Sequence, residues 1–305
     1  MQTILGSTGI IGSLLAKALT QHTNAIRLVS RNPQAVNPGD ELVKADLLDA
    51  DQTAAAVAGS DIVYLTAGLV YKSSTWEQQW PVVMRNTIAA CKQHGAKLVF
   101  FDNVYSYGPV KGAMTEQSPL LATTRKGKLR VQIVNMLLDA ISKGDIQGMI
   151  CRAPDFYGPG KTLSAVNMMV FENIKKGKKA QWMITDQARH TYIFTPDAAN
   201  ATALLGNTPD AWNQTWHLPC SDEEMTGAKM NQLCSDITGK PVGSTILSKF
   251  MLRLAGLFIP AVRESMELLY QYSDDYIFSS DKFKQRFPSF PVTGYRDGVT
   301  AVLKS

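Results

Sequence analysis

A doubly wound, parallel α/β sheet with a smaller, mostly helical C-terminal lobe is the fold class this sequence predicts, on two observations. Short apolar runs alternate with stretches of helical periodicity from the first residues onward, and a glycine-rich turn joins the first run to the first helix. Repeated strand–helix units with short connections imply parallel strands covered on both faces. The 305 residues suffice for one large α/β domain or for a domain with an appended lobe.

The elements follow in order. Thr3-Ile4-Leu5 reads as a strand, and Ile10, Ile11, Leu14, Leu15, Ala18 and Leu19 mark one face of the helix after it. Ile26 to Val29 and Ile62 to Leu65 read as further strands. A helix around Val82 to Gln93 leads into Lys97 to Phe101, a strand apolar enough to be buried on both sides. Leu129, Ile133, Met136, Leu137, Ala140 and Ile141 mark a long amphipathic helix, and Gly148 to Cys151 the next strand. After about residue 155 the rhythm loosens. Pro159-Gly160 opens a segment ending near His190, Thr195-Pro196-Asp197 starts another helix, and Trp212 to Leu218 reads as one more strand. The expected division is residues 1–157 as the sheet domain, with 191–218 returning to it. Residues 158–190 and 219–305 then form the lobe.

Composition removes several function classes. The chain has 31 basic and 26 acidic side chains, a net charge of +5. Its two basic clusters, Arg125 to Arg130 and Lys175 to Lys179, lack interleaved aromatics, so nucleic-acid binding is not expected. Four scattered cysteines form no CxxC pair and four histidines are equally dispersed, which indicates neither a disulfide framework nor a metal site. The most apolar late stretch, Phe250 to Val262, contains Arg253 and Pro260 and is shorter than the ~20 residues a bilayer requires. The N-terminus shows no cleavable leader pattern. The expectation is a cytoplasmic protein with a small-molecule substrate and no membrane partner, with room for a homodimer.

Gly6-Ser7-Thr8-Gly9-Ile10-Ile11-Gly12 carries the chemistry most clearly. It follows a strand and opens a helix, the context of a Rossmann dinucleotide fingerprint, with GxxGxxG spacing in place of GxGxxG. Glycines let the backbone turn tightly and approach a pyrophosphate, and the helix N-terminus presents N–H groups and a positive dipole end to it. An acidic residue ending the second strand would hold the ribose hydroxyls of NAD and repel the NADP phosphate. Ser30-Arg31 stands there instead, and its hydroxyl and forked cation favour NADP over NAD.

With this loop, Arg31, Ala45-Asp46-Leu47 and Thr66-Ala67-Gly68 in hand, the chain resembles the extended short-chain dehydrogenase/reductase superfamily. Within it, it looks like the NAD-dependent epimerase/dehydratase group. That resemblance implies that Asp46 and Leu47 lie by the adenine and that Thr66, Ala67 and Gly68 line the cofactor. Asn86 matches a family asparagine in the helix before the fourth strand. Arg152-Ala153-Pro154-Asp155-Phe156-Tyr157-Gly158-Pro159-Gly160 is similar to the RPxxxYGPG segment, which implies that Pro154 passes the nicotinamide and that Asp155, Phe156 and Tyr157 approach the substrate. His190 to Ala199 resembles the YIxVxDVA segment, with His190 a candidate ligand contact.

The resemblance also implies a Ser/Thr, a Tyr and a Lys as the catalytic set, the last two as YxxxK. Here Asn103 holds the serine position, Lys128 is the aligned lysine, and Thr124 holds the tyrosine position. A threonine hydroxyl is a far weaker acid than a phenol of pKa about 10 and cannot shuttle protons near neutral pH. No tyrosine lies between Tyr107 and Tyr157. Tyr105, which follows the strand end where the family's catalytic loops sit, is the best substitute acid/base, with Asp155 and Tyr157 also within the reach that the resemblance implies. Two readings therefore stand. One is an NADP-dependent oxidoreductase or epimerase/dehydratase-like enzyme, acting on a nucleotide-sugar or another small hydroxyl or carbonyl compound with a non-standard site. The other is a non-catalytic NADP-binding regulator.

Overall fold

The computed structural model describes residues 1–160 and 162–305. Its elements in chain order are β1 (Gln2–Leu5), α1 (Ile10–Leu19), β2 (Ile26–Ser30), β3 (Glu41–Lys44), α2 (Ala50–Val57), β4 (Ile62–Leu65), α3 (Ser73–His94), β5 (Lys97–Asn103), β6 (Ala113–Met114), α4 (Arg125–Ser142), β7 (Gly148–Ala153) and β8 (Asp155–Tyr157). They continue as α5 (Glu172–Lys175), β9 (Ala180–Met183), β10 (Tyr192–Phe194), α6 (Thr195–Gly206), β11 (Thr215–His217), α7 (Gly227–Thr238), β12 (Ser244–Leu247), α8 (Lys249–Phe258), α9 (Pro260–Ser265), β13 (Ile277–Phe278), α10 (Asp281–Arg286) and α11 (Tyr295–Lys304). Two compact units divide them. The first comprises residues 1–106, 125–153 and 198–218, and the second 107–124, 154–197 and 219–305.

The first unit is a seven-stranded sheet in the order β11-β7-β5-β4-β1-β2-β3, parallel throughout. Its central strands are apolar on both faces, with Ile4, Leu5, Leu28, Val29, Val63, Leu65, Leu98, Val99 and Phe100 all buried. Polar residues in this core are paired. Thr3 and Ser60 hydroxyls meet at 2.6 Å, and the Tyr64 hydroxyl donates to Gln2 Oε1 at 2.8 Å. Gly206 lies against that phenol, and a Cβ there would collide with the Tyr64 oxygen. The chain runs outward from β1 to β3 on one side and from β4 to β11 on the other. The strand order thus reverses between β1 and β4, and in such sheets the crevice beyond those two strands is where ligands bind.

The second unit is not purely helical. Besides α7 to α11 it contains three two-stranded parallel pairs, β8 with β10, β9 with β12 and β6 with β13. Its larger core gathers Tyr157, Phe171, Trp182, Tyr192, Met230 and Tyr295. The unit boundary falls between Ala153 and Pro154 rather than after Tyr157, and residues 107–124 group with this unit.

Three sheet-domain elements depart from the pattern read in the sequence. Helix α3 begins at Ser73 and runs through Pro81, whose missing N–H removes one helical bond without ending the helix. Strand β3 is an exposed edge whose side chains lack the apolar run of a buried strand. It pairs with β2 and is tied by Glu41 to Arg27 at 3.0 Å. Trp212 to Leu218 contracts to a three-residue strand after a single 3₁₀ turn.

Candidate functional site

The loop between β1 and α1 has a shape that only glycine allows at two of its three glycines. Gly6 sits at φ +94°, and a Cβ there would collide with the Ala67 backbone, standing 2.5 Å from its nitrogen. At Gly12 a Cβ would come within 2.6 Å of the Gly6 carbonyl oxygen. Thr66 braces the turn from β4, its hydroxyl donating to Leu5 O at 3.3 Å. Gly9 differs: it has ordinary extended backbone (φ −71°, ψ 161°), and a Cβ there would meet nothing nearer than 3.5 Å. The protein's own packing does not require glycine at position 9. Helix α1 starts there with no side-chain cap and no acidic residue in its first turn, so its leading N–H groups and dipole end are left to an anion. The donor set fits a dinucleotide pyrophosphate.

Around this loop lie the other residues expected at the cofactor. Arg31 is exposed directly after β2, and Ser30 Oγ accepts from the Asn32 N–H at 3.2 Å. Asp46 Oδ1 accepts from the Leu48 N–H at 3.0 Å, which shapes the turn. Asn86 is nearly buried and donates to Leu47 O at 3.0 Å, a tether that explains why α3 carries an asparagine at this point. Thr66, Ala67 and Gly68 follow β4 on the far side of the switch point.

The end of β5 carries an aromatic and cationic cluster that the sequence reading did not assemble. Asp102 is buried and receives two guanidinium groups. Arg130 reaches Oδ1 at 2.6 Å through Nη2 and 2.9 Å through Nε, and Arg152 reaches Oδ2 at 3.1 and 3.2 Å. One carboxylate thus faces two buried cations. The excess charge lies over aromatic faces, with the Arg130 guanidinium carbon 4.7 Å from the Trp80 ring and 5.2 Å from Phe100. The arrangement pins α4 to β5 and β7.

Beside it, Asn103 Oδ1 accepts from the Tyr105 N–H at 3.0 Å, and the Tyr105 ring stacks on Trp76 at 6.4 Å. Trp76 in turn meets Tyr71 edge-on, and the Lys126 ammonium lies 4.7 Å over Tyr71 and donates to Ser73 Oγ at 2.8 Å. Lys126 is buried, whereas Lys128 is exposed. The lysine that α4 brings into this cluster is therefore Lys126, two residues before the one aligned from sequence. Helical phase contained the signal: Lys126, Arg130, Ile133, Leu137 and Ala140 recur at steps of three and four on the buried face. Among the described residues, the indole N–H groups of Trp76 and Trp80 and the Ser106 hydroxyl are buried without a partner.

The second unit holds the remaining expected residues. Thr124 lies there, half-buried and just before α4. Pro154 precedes β8. Asp155 Oδ2 accepts from the Tyr272 hydroxyl at 3.0 Å and is hydrogen-bonded to His190 Nε2 at 3.0 Å. His190 is buried and stacks between Tyr192 at 4.5 Å and Tyr272 at 5.4 Å, so it is a braced structural group in this unit. Phe156 is half-buried. Tyr157, expected at the substrate, is instead a core residue against Phe171, Phe194 and Tyr295, and burial pushes its phenol well above the ordinary range. The cavity lined by Asp155, Tyr192, Trp182 and Tyr272 is about 20 Å³, room for about one water and far too small for a sugar. Among the described residues, no group of three or more His, Cys, Asp or Glu side chains is placed to hold a metal ion, and no helix is long and apolar enough to cross a membrane.

The sequence model of the NAD dependent epimerase/dehydratase family matches residues 3–217. The chain belongs to that family. A curated relative, the dTDP-6-deoxy-L-talose 4-dehydrogenase (NAD(P)(+)) of Kitasatospora kifunensis, is 28% identical over 170 residues. That match covers 52% of this chain and spans about half the relative's length, 53%. The fold is shared with the UDP-glucose 4-epimerase of Thermus thermophilus, solved with NAD, at a TM-score of 0.78 and 16% identity over 100% of this chain and 98% of that one. It is shared equally with the UDP-glucuronic acid 4-epimerase of Bacillus cereus, also solved with NAD, at 0.79 and 15% over the same shares.

Proposed function

We propose that this protein is an NADP-dependent oxidoreductase of the epimerase/dehydratase type, acting on a nucleotide-sugar or a similar small hydroxyl or carbonyl compound. The observation that carries the reading is the uncapped α1 N-terminus behind Gly9, where a missing side chain serves no packing need of the protein itself. The relative from Kitasatospora, named as acting on a dTDP-sugar with NAD(P)(+), supports the substrate class, and Ser30-Arg31 supports NADP.

The bound nicotinamide supplies hydride transfer at an oxygen-bearing carbon. The residues of this chain do the rest. The loop N–H groups and α1 hold the pyrophosphate, Arg31 holds the 2′-phosphate, and Lys126 holds a ribose hydroxyl. Tyr105 moves the proton at its phenolic oxygen, and the Asn103 amide nitrogen donates to the substrate oxygen. Steady-state assays of nucleotide-sugars with NADP⁺ and NADPH test this. Turnover that falls by about 10²-fold or more in Tyr105→Phe supports Tyr105 as acid/base, and an unchanged rate removes it from that role. One observation favours a second reading, a cofactor-binding regulator: with Lys126 as the lysine, the YxxxK spacing puts Ala122 at the family's phenol position, and with Lys128 it puts Thr124 there, neither of them a phenol. Tight NADPH binding with no turnover across the screen would select it.

A further inference from the structure

Helix α8 is anchored on one side only. Leu252 and Gly256 are buried, and Leu252 belongs to a small core with Met183 and Leu269, against which Leu247, Val262 and Met266 pack. At about 100° per residue, Phe250, Met251, Leu254, Leu257 and Phe258 fall within one arc roughly 120° wide, away from that anchor. All five are exposed: Phe250 by 68%, Leu257 by 70% and Phe258 by 85% of their surface. Ile259 extends the exposed apolar surface past the helix end. Single exposed apolar residues are normal on a soluble surface, but five large ones on one helical face form a contiguous patch of the kind that marks an interaction site.

Along the chain, the charge leading into the helix and out to Arg263 has one sign, a run that Glu264 ends. Between Asp236 and Glu264 the chain carries Lys240, Lys249, Arg253 and Arg263 and no carboxylate. Lys249, Arg253 and Arg263 are exposed, and among the described residues no salt bridge engages them. By the same helical wheel, Lys249 and Arg253 stand together along one edge of the apolar arc.

We propose that this face of α8 docks the protein onto an anionic phospholipid surface. An apolar stripe rich in Phe and Leu, edged by cations and free of acids, suits a helix lying in the plane of a bilayer interface. Ten residues span about 15 Å, half of a bilayer core, so the helix lies on the membrane and does not cross it. A second copy of the chain is the poorer occupant. An isologous contact would set the same unbalanced cationic rim against itself, whereas phosphate headgroups neutralise it.

Sedimentation with unilamellar vesicles tests the assignment. The whole protein is expected to pellet with vesicles containing phosphatidylglycerol, and much less with pure phosphatidylcholine. Lys249→Gln with Arg253→Gln is expected to weaken binding to the anionic vesicles by roughly 30-fold, from two surface cations lost. Leu257→Asp with Phe258→Asp is expected to abolish it, with circular dichroism and NADPH affinity unchanged because both residues are exposed. Equal binding to both vesicle types, no binding to either, or binding that survives the Asp pair overturns the proposal. A dimer in vesicle-free solution that the Asp pair dissociates, with no sedimentation of the parent protein, overturns it in favour of self-association.

Discussion

Arg31 stands exposed beyond β2 with a serine before it and no carboxylate at the strand end. A guanidinium there is always charged and can meet a phosphate with two N–H bonds. NADPH is therefore expected to bind more tightly than NADH, and Arg31→Ala to erase most of the difference, about 1.5–3 kcal/mol for a hydrogen bond to a charged group. Calorimetric titration of both cofactors into both proteins measures it; equal affinities in the parent protein refute the assignment. The two lysines of α4 separate in the same experiment. Lys126 is buried in the cluster of Tyr71, Ser73 and Trp76, and Lys126→Ala should weaken NADPH by about 1–3 kcal/mol. Lys128 faces solvent, and its alanine variant should stay within about 0.5 kcal/mol of the parent. The reverse order would restore Lys128 to the site.

At the scale of elements, the phosphate loop separates conformational need from ligand need. Gly6→Ala forces a Cβ onto the Ala67 backbone at a positive φ and should lower stability by about 1–3 kcal/mol. Gly9→Ala meets no such obstacle, so urea unfolding should be unchanged while dinucleotide affinity collapses. A Gly9→Ala protein that folds and still binds NADPH would place the cofactor elsewhere. The clamp joining α4 to β5 and β7 is tested by Asp102→Asn, which removes the carboxylate charge that both buried guanidiniums meet. A loss of about 3–5 kcal/mol in urea unfolding is expected, and a loss under about 1 kcal/mol would mean the clamp is not what fixes α4. These elements also show how far the sequence was legible. Strands buried on both faces announce themselves as apolar runs, and the loop as glycines between a strand and a helix. Edge strand β3 buries too little to leave a pattern, and α3 hides its first turns behind Pro81. The Asp102 clamp joins residues 28 and 50 positions apart, which no local periodicity links. Tyr157 looked like a site residue because a motif names it, yet only packing reveals that its phenol is enclosed.

Across the whole molecule, the four cysteines report how well each unit is sealed. Cys91 and Cys151 lie in the first unit and Cys220 and Cys234 in the second, all buried and none in a disulfide. Burial pushes the thiols of Cys91 and Cys234 up to about 12 and raises those of Cys151 and Cys220 further. At pH 8 a thiol of pKa near 12 is ionised to only about one part in 10⁴, and the thiolate is the reactive form. An aromatic disulfide reagent at that pH should label none of the four within minutes in the native protein, and all four in denaturant. The same shifts fix a pH dependence. Each thiol's folded pKa lies above its unfolded value near 9.0, so the unfolded chain sheds protons first as pH rises. Stability is then full below about pH 9 and falls above it, by up to about 1.4 kcal/mol per thiol per pH unit until the folded pKa is reached. Urea midpoints that hold steady from about pH 7 to 9 and drop at about pH 10 would agree. Rapid labelling of Cys91 or Cys234 in the native protein would show that the unit containing that thiol opens far more readily than its packing implies, and a midpoint indifferent to that rise in pH would show that the folded thiols are not raised above their unfolded value.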